Sequence, residues 1–443
     1  MFLLSRITNV DGATSNGRTE AHQLWRDRVF LATWLSYVGF YFCRKPWSVA
    51  KSALGREAGF DSNTLGQIGA AYLVAYAIGQ FLASGMGPRL GPRLNVLGGM
   101  ALSIVVCATM GFVLDPTLLF GLAAVNGLAQ ATGWSGNVGT LASWFHRHER
   151  GRVMGVWATN FTVGSLASTW VLSWVLSLGT PEAPPWRAAF FVGAGVLTLV
   201  WFVFYAFQRN RPEDLGLAPI DDPVAADEGE SAPAVAGPEF LGLPRTAWTN
   251  LLLVSGFYFF AKLIRYAVWS WVPFFLNRNY GLTDAEAGAY STAFDLMGIP
   301  GVWLAGWMSD RYFSSRRGEV ALILMLCMTA ACGALLLFGH LHVGVFAVLI
   351  GCIGFTLYGP DALLTGAGAM DIGSRKAATR AAGLISGFGS LGPIVQELWI
   401  GKRYSASSGD LGPVFMLLFG SAALACLFCA ALVIRNRRGG KGV

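Results

Sequence analysis

The sequence predicts an all-α membrane protein: twelve transmembrane helices in two pseudosymmetric six-helix bundles. Three features predict it, namely long apolar runs, basic residues gathered in alternate connections, and a repeat relating the two halves. Of the 443 residues 54% are hydrophobic and 13% charged, with mean hydropathy +0.51. Many stretches therefore reach the roughly 20 apolar residues that a spanning helix needs.

Helices are expected near 24–46, 64–87, 92–114, 117–145, 152–179 and 186–208, then 246–277, 284–309, 318–338, 342–370, 376–402 and 410–435. The chain accordingly divides into a cytoplasmic segment 1–23, a bundle 24–209, a linker 210–243, a second bundle 244–436 and a tail 437–443. Segment 1–23 lacks the short apolar core and cleavage site of a signal peptide, so the first helix is expected to direct insertion. The linker, RPEDLGLAPIDDPVAADEGESAPAVAGPEF at its centre, is acidic, rich in Pro and Ala, and without apolar period, which predicts disorder.

A net charge of +7 raises the question of nucleic acid, but the distribution of charge speaks for topology instead. Arg89 and Arg93, Arg147, Arg150 and Arg152, Arg209 and Arg211, Arg311, Arg316 and Arg317, Arg375, Lys376 and Arg380, and Arg435, Arg437, Arg438 and Lys441 fall in alternate connections. The positive-inside rule puts these connections and both termini in the cytoplasm. The opposite connections are poorer in basic residues, with Lys51, Arg56, Arg278, Lys402 and Arg403 as exceptions.

Several motif-like strings carry no chemistry here. Seven cysteines scattered through apolar stretches read as thiols rather than a disulfide framework, and the Cys426/Cys429 pair lies in the last apolar helix without a second pair. The five histidines lie at expected helix ends or in loops. GFGSLG (Gly387 to Gly392) follows no strand, which removes dinucleotide binding, and its small residues suit close helix contact. Asn160-Phe161-Thr162 is a chance sequon inside a membrane segment, and there is no Walker A string. No nucleophile with its base and no metal cluster is legible, so an enzyme is not expected, and no cofactor is called for.

The informative residues are Arg44 and Arg265. Each lies in a long apolar segment, YVGFYFCRKPW and FYFFAKLIRYAVW, at the same relative place in its half. A guanidinium at mid-membrane costs about 3 kcal/mol as a lower bound, so such a residue is a functional candidate by default. Alone, Arg44 also reads as a helix-end arginine reaching the interface; the match with Arg265 favours a buried anion site. Arginine suits a phosphoryl group because its planar fork donates two parallel hydrogen bonds and stays protonated. The repeat continues beyond each arginine. GFDSNTLGQIGAAYL begins at Gly59 and GLTDAEAGAYSTAF at Gly281, and each offers a capping-box pattern, Thr64 with Gln67 and Thr283 with Glu286.

With these segments in view the chain resembles the major facilitator superfamily. GWMSDRYFSSRR (Gly306 to Arg317) is similar to its cytoplasmic loop signature, whereas SGMGPRLGPR keeps Arg89 and Arg93 but has Gly87 where an Asp is usual. FYFCRKPWSVAKS, NGLAQATGW, FFAKLIRY, FDLMGIPGVWLAGWMSDR and LYGPDALLTGAGAMDIGSRKAATRAAGLISGFGSLGP resemble segments of one branch, the organophosphate:phosphate antiporters. That resemblance implies phosphate binding by Arg44 and Arg265, aromatic hydroxyls at Tyr37 and Tyr41, cavity aromatics at Trp134 and Tyr358, and an acidic group at Asp295. Gln80, Phe161 and Ser270 depart from the glycerol-phosphate pattern of Lys, His and Asp. Lys262, three residues before Arg265, is a candidate for the charge missing at Gln80, or else a lysine facing water.

The resemblance implies exchange of an organic phosphate ester, a sugar phosphate above all, for inorganic phosphate by rocking of the two bundles. A transport-silent sugar-phosphate sensor and a proton-coupled symporter using Asp295 remain open. Expected partners are phosphate, its esters and the lipid bilayer, with no nucleic acid; the expected protein is a monomer in the cell (inner) membrane. Two uncompensated cations about 8 Å apart repel by roughly 2 kcal/mol at an effective dielectric near 20, so the unloaded carrier should return reluctantly and exchange should be obligatory.

Overall fold

The computed structural model describes residues 20–145, 153–220, 239–240, 243–313, 317–367 and 384–438. Segment 1–19, most of the linker, His146 and His148, and the basic residues Arg147, Arg150, Arg152, Arg316, Arg375, Lys376, Arg380 and Lys441 lie outside the described residues. The described chain is almost entirely helical, and its helices follow the expected order of twelve spans.

The first span is α1 (Glu20–Phe42) and α2 (Lys45–Ala58), followed by α3 (Ser62–Met110), which contains the second and third spans. Gly91, at φ 76° and ψ 152°, separates those two; glycine alone adopts this backbone without strain. The fourth span is α4 (Pro116–Gln130) with α5 (Thr132–Trp144), the fifth is 153–157 with α6 (Thr159–Ser177), and the sixth is α7 (Trp186–Phe207). Ala131 and Ala158, which join these pieces, keep right-handed helical angles, so each pair runs as one span. In the second half come α8 (Arg245–Tyr280), α9 (Asp284–Ser291) with α10 (Ala293–Tyr312), α11 (Arg317–Phe338), α12 (Val343–Asp361), 384–389 with α13 (Leu391–Ala406), and α14 (Gly412–Arg437). A π-helical turn, Ala362–Ala367, extends α12.

Among the described residues six helices are long and apolar enough to cross a membrane on composition alone: Gly91–Met110, Trp186–Phe207, Trp248–Tyr280, Arg317–Phe338, Val343–Leu364 and Gly412–Arg437. The remaining spans carry interruptions or buried polar groups. The first, for example, holds Arg44, Lys45 and Lys51, all buried. Positions such as Trp174, Phe202, Trp303 and Leu427 are exposed and apolar, the surface a bilayer requires.

The first span departs from expectation. It does not end near residue 46 but breaks at Cys43 and Arg44, whose amides bond to Phe40 and Tyr41 three residues back, and resumes as α2. Pro46 is compatible because it lies in the first turn of α2, where its missing N–H has no helical acceptor to lose. Lys51 is therefore a buried helical residue, not part of an outer connection. The Thr64/Gln67 capping box is also absent as such: α3 starts earlier, and Asp61 accepts the Thr64 amide at 2.9 Å. Aspartate outcompetes threonine at this role, and these bonds hold the Asp61 carboxyl below its usual range. The Thr283/Glu286 box is present in both directions.

The chain folds as two compact units. The first comprises Met1–Trp47, Val74–Leu178 and Pro185–Ser231. Its aromatic core joins Phe30 and Tyr37 of α1 to Trp144, Phe145 and Trp157, and Leu215 and Leu217 pack on this core. Residues 212–215, inside the stretch expected as a disordered linker, thus form a 3-10 turn; Pro212 starts it, Asp214 accepts the Asn210 and Arg211 amides, and its leucine has somewhere to bury. Glycine lets α1 and α7 meet backbone to backbone, since a Cβ on Gly193 would lie 2.1 Å from the Phe42 carbonyl oxygen.

The second unit comprises Ser48–Leu73, Gly179–Pro184 and Ala232–Val443. In it α10 and α12 approach through a reciprocal pair of glycines, Gly301 against Phe355 and Gly354 against Phe294. Residues 48–73 pack here against α8 and α13: Ser48 donates to the Trp269 carbonyl at 2.8 Å, Ser62 to the Gly401 carbonyl at 2.9 Å, and Arg56 pairs with Asp284. Glu239–Phe240 and Leu243–Pro244 form a two-residue antiparallel pair before α8. All seven cysteines are free thiols, five buried and Cys327 and Cys352 exposed.

Candidate functional site

In the first unit, Tyr37 and Tyr41 on α1 and Arg44 in the turn just after it recur at helical spacing. Tyr37 packs edge-on to Tyr41 (centroids 6.0 Å) and Trp134 (5.6 Å), and Trp157 closes the group at 5.3 Å from Trp134. Phe161 packs on the same core. Three expected aromatics are thus brought together, with Trp157 as a member outside the expected set.

Arg44 lies at the break after α1, its guanidinium carbon 4.8 Å from the Tyr41 ring centroid and 5.1 Å from that of Tyr76. Aromatic faces favour a cation that has left water. Its Nε donates to Gln130 Oε1 at 2.9 Å. The Gln130 amide is itself oriented, because Nε2 donates to Asn126 Oδ1 (3.2 Å) and Ser103 Oγ (3.3 Å). Asn126 in turn donates to the Cys43 carbonyl at 3.0 Å and accepts from Ser103 at 2.7 Å. The network fixes both the side chain and the backbone turn that carries it. Asn126 and Gln130 stand four residues apart in the apolar run VNGLAQ, a same-face polar pair that could have flagged them. Gln80 is half-buried on α3, one turn beyond Tyr76.

In the second unit Arg265 forms an ion pair with Asp361, at the end of α12. Its guanidinium carbon also lies 4.6 Å from the Tyr358 ring centroid, and the Tyr358 hydroxyl donates to Asp295 Oδ1 at 2.6 Å. Gly298 makes room for that ring, since a Cβ there would come within 2.4 Å of it. Arg265, Tyr358 and Asp295 are therefore one cluster, and the carboxylate in the ion pair with Arg265 is Asp361, which lies outside the expected set. The premise of two uncompensated arginines fails at Arg265. Lys262 donates to Ser390 Oγ at 3.2 Å and lies 4.7 Å from the Tyr258 ring centroid.

A second charged cluster in this unit has no counterpart among the expected residues except Ser270. Lys51, 0% exposed, pairs at 2.9 Å with Glu397, 1% exposed. Ser270 donates to the same Glu397 oxygen at 2.9 Å and accepts from Lys51 at 2.9 Å. Trp271 Nε1 (2.8 Å) and Gln396 Nε2 (2.9 Å) donate to the other oxygen, and the ammonium lies 3.9 Å from the Trp271 ring centroid. With four donors the carboxylate is saturated, the condition under which a buried pair is tolerated. Ser270, the departure from an Asp, is thus the bridge of an ion pair whose acid stands on α13.

Among the described residues there is no cluster of His, Cys, Asp and Glu fit to hold a metal. A family model described as Major Facilitator Superfamily matches residues 29–397. The glycerol-3-phosphate transporter of Bacillus subtilis (strain 168) is 29% identical, with 93% of each chain covered. The glucose-6-phosphate exchanger SLC37A2 of Bos taurus is 28% identical over 93% of this chain and 94% of its own. Among solved structures, a bacterial homolog of the human lysosomal transporter Spinster, inward-facing and occupied, superposes with TM-score 0.70 at 15% identity, covering 93% of this chain and 97% of that one. A D-xylose-proton symporter gives TM-score 0.70 at 14% identity over 91% and 97%. The fold, the span order and the match over most of its length place the chain in the Major Facilitator Superfamily, a family of membrane transporters rather than enzymes.

Proposed function

We propose that the protein carries an organic phosphate ester, most suitably a sugar phosphate, across the cell membrane in exchange for inorganic phosphate, with Arg44 and Arg265 as the phosphoryl-binding cations and both termini cytoplasmic. The observation that carries this reading is the matched pair of arginines, each against tyrosine rings in its own unit. Relatives named for glycerol-3-phosphate, glucose-6-phosphate and hexose phosphate transport support the substrate class.

The ester's organic part meets aromatic and neutral groups. Gln80 and Phe161 stand where the glycerol-phosphate pattern has a cation and an imidazole, so discrimination rests on shape, stacking and neutral hydrogen bonds. That favours a hexose phosphate over glycerol phosphate. The test uses the purified monomer in proteoliposomes loaded with labelled phosphate. External glucose 6-phosphate should stimulate phosphate efflux, and should compete with phosphate uptake at lower concentration than glycerol 3-phosphate. No stimulation by any phosphate ester would remove the exchange reading; glycerol 3-phosphate competing better would remove only the hexose preference.

A further inference from the structure

Arg265 is paired with a carboxylate at the very group proposed to receive phosphate. We propose that Asp361 is a built-in counter-anion, which takes the place of the phosphoryl group at Arg265 whenever no anion is bound there, so that the unloaded carrier can return and the protein performs net transport as well as exchange. This rests on the phosphate-carrier reading above.

The physical case begins with the guanidinium, which keeps its charge at any ordinary pH and cannot relieve an unloaded site by losing a proton. An exchanger with a bare arginine must therefore wait for a second anion. A carboxylate presents oxygens to the same N–H fork that a phosphoryl group uses, so the two are interchangeable partners for it and mutually exclusive on the donors they share. Asp361 is placed to act in this way. It is a short, buried side chain where α12 passes into the wider π-helical turn Ala362–Ala367, a kind of irregularity that recurs at functional sites. Pro360 precedes it and leaves the backbone there one donor short.

Tyr358, one turn earlier on α12, separates the duties of the two acids: its ring covers Arg265, while its hydroxyl bonds to Asp295. Arg265 pairs with Asp361 and keeps a partly exposed side chain. Phosphate must then displace an intramolecular competitor, which weakens its apparent affinity by the fraction of time the carboxylate holds the fork. Loss of Asp361 should tighten phosphate binding and hinder the unloaded return, two effects that a purely structural salt bridge would not produce together.

The experiment measures labelled phosphate leaving proteoliposomes into medium with phosphate (exchange) and without it (net efflux). For the wild type, net efflux should run within about tenfold of exchange. In Asp361→Asn the ratio of net efflux to exchange should fall by about tenfold or more, with a lower KM for phosphate in exchange, while Asp361→Glu should restore net efflux. Asp361→Ser provides a second uncharged variant should the amide fold poorly, and size-exclusion profiles confirm that each variant is intact. Wild-type exchange without net efflux above protein-free vesicles would overturn the proposal, as would an unchanged ratio in the uncharged variants. Absence of phosphate movement in both wild-type modes would instead bring down the phosphate-carrier reading on which it stands.

Discussion

The two units hold their cations differently. In the first, Arg44 is bonded by a chain of amides and a serine, Gln130 to Asn126 and Ser103, and capped by tyrosine rings. In the second, Arg265 and Lys51 are each paired with a carboxylate, Asp361 and Glu397. An amide orients a guanidinium without cancelling its charge, whereas a carboxylate cancels it and must be moved before another anion can bind. At positions that match in sequence, the Gln130 amide thus holds Arg44 in place and the Asp361 carboxylate holds Arg265 in check.

The sharpest way to break this contrast is to remove one acid. Glu397→Gln should leave Lys51 buried without its counter-charge and cost about 3–5 kcal/mol, read as a large drop in Tm in detergent. Removing both charges with Lys51→Met and Glu397→Leu should recover most of that loss, since the uncharged pair needs no desolvation. A single variant as stable as wild type would show that the pair is not confined as described.

Next in size are the arginines themselves. Arg44→Lys and Arg265→Lys should each lower kcat/KM for phosphate exchange by about 100-fold or more, because an ammonium lacks the planar fork. The contrast predicts how Gln130 enters. Gln130→Ala should raise KM by about tenfold in the wild-type background and have little further effect in Arg44→Lys, since lysine has no Nε to bond. An equal Gln130→Ala penalty in both backgrounds would detach the amide chain from Arg44.

The smallest effect lies at the entry to α3. Asp61→Ala should cost about 1 kcal/mol through loss of the cap. The Asp61 carboxyl is held below its usual range by the Thr64 bonds, so this contribution is complete above the unfolded-state pKa and is lost as pH falls through the lower folded value. Wild type and Asp61→Asn should therefore differ least in Tm at the acid end of the range.

Most of the architecture is legible because membrane helices announce themselves by length and apolarity, and the repeat by its paired arginines. The failures share one cause. Lys51 reads as a loop residue because Pro46 suggests a helix end, yet Arg44, Ser48 and Lys51 recur at helical spacing and mark the resumed helix. Asp361 and Glu397 stand alone in LYGPDALL and GPIVQELWIG, the same signal that draws attention to Asp295, but neither falls on a position to which the family resemblance gives a role. Which acid serves which cation is not readable, since partners as far apart in sequence as Arg265 and Asp361 or Lys51 and Glu397 leave no periodic trace.

Gly69 carries a consequence of another sort. A methyl group added there would come within 2.3 Å of Glu397 Oε1, the oxygen that accepts from both Lys51 and Ser270. The absent side chain is therefore the mould in which the carboxylate is cast. The plainest of substitutions, glycine to alanine, would register at this position as a fault of charge rather than of size.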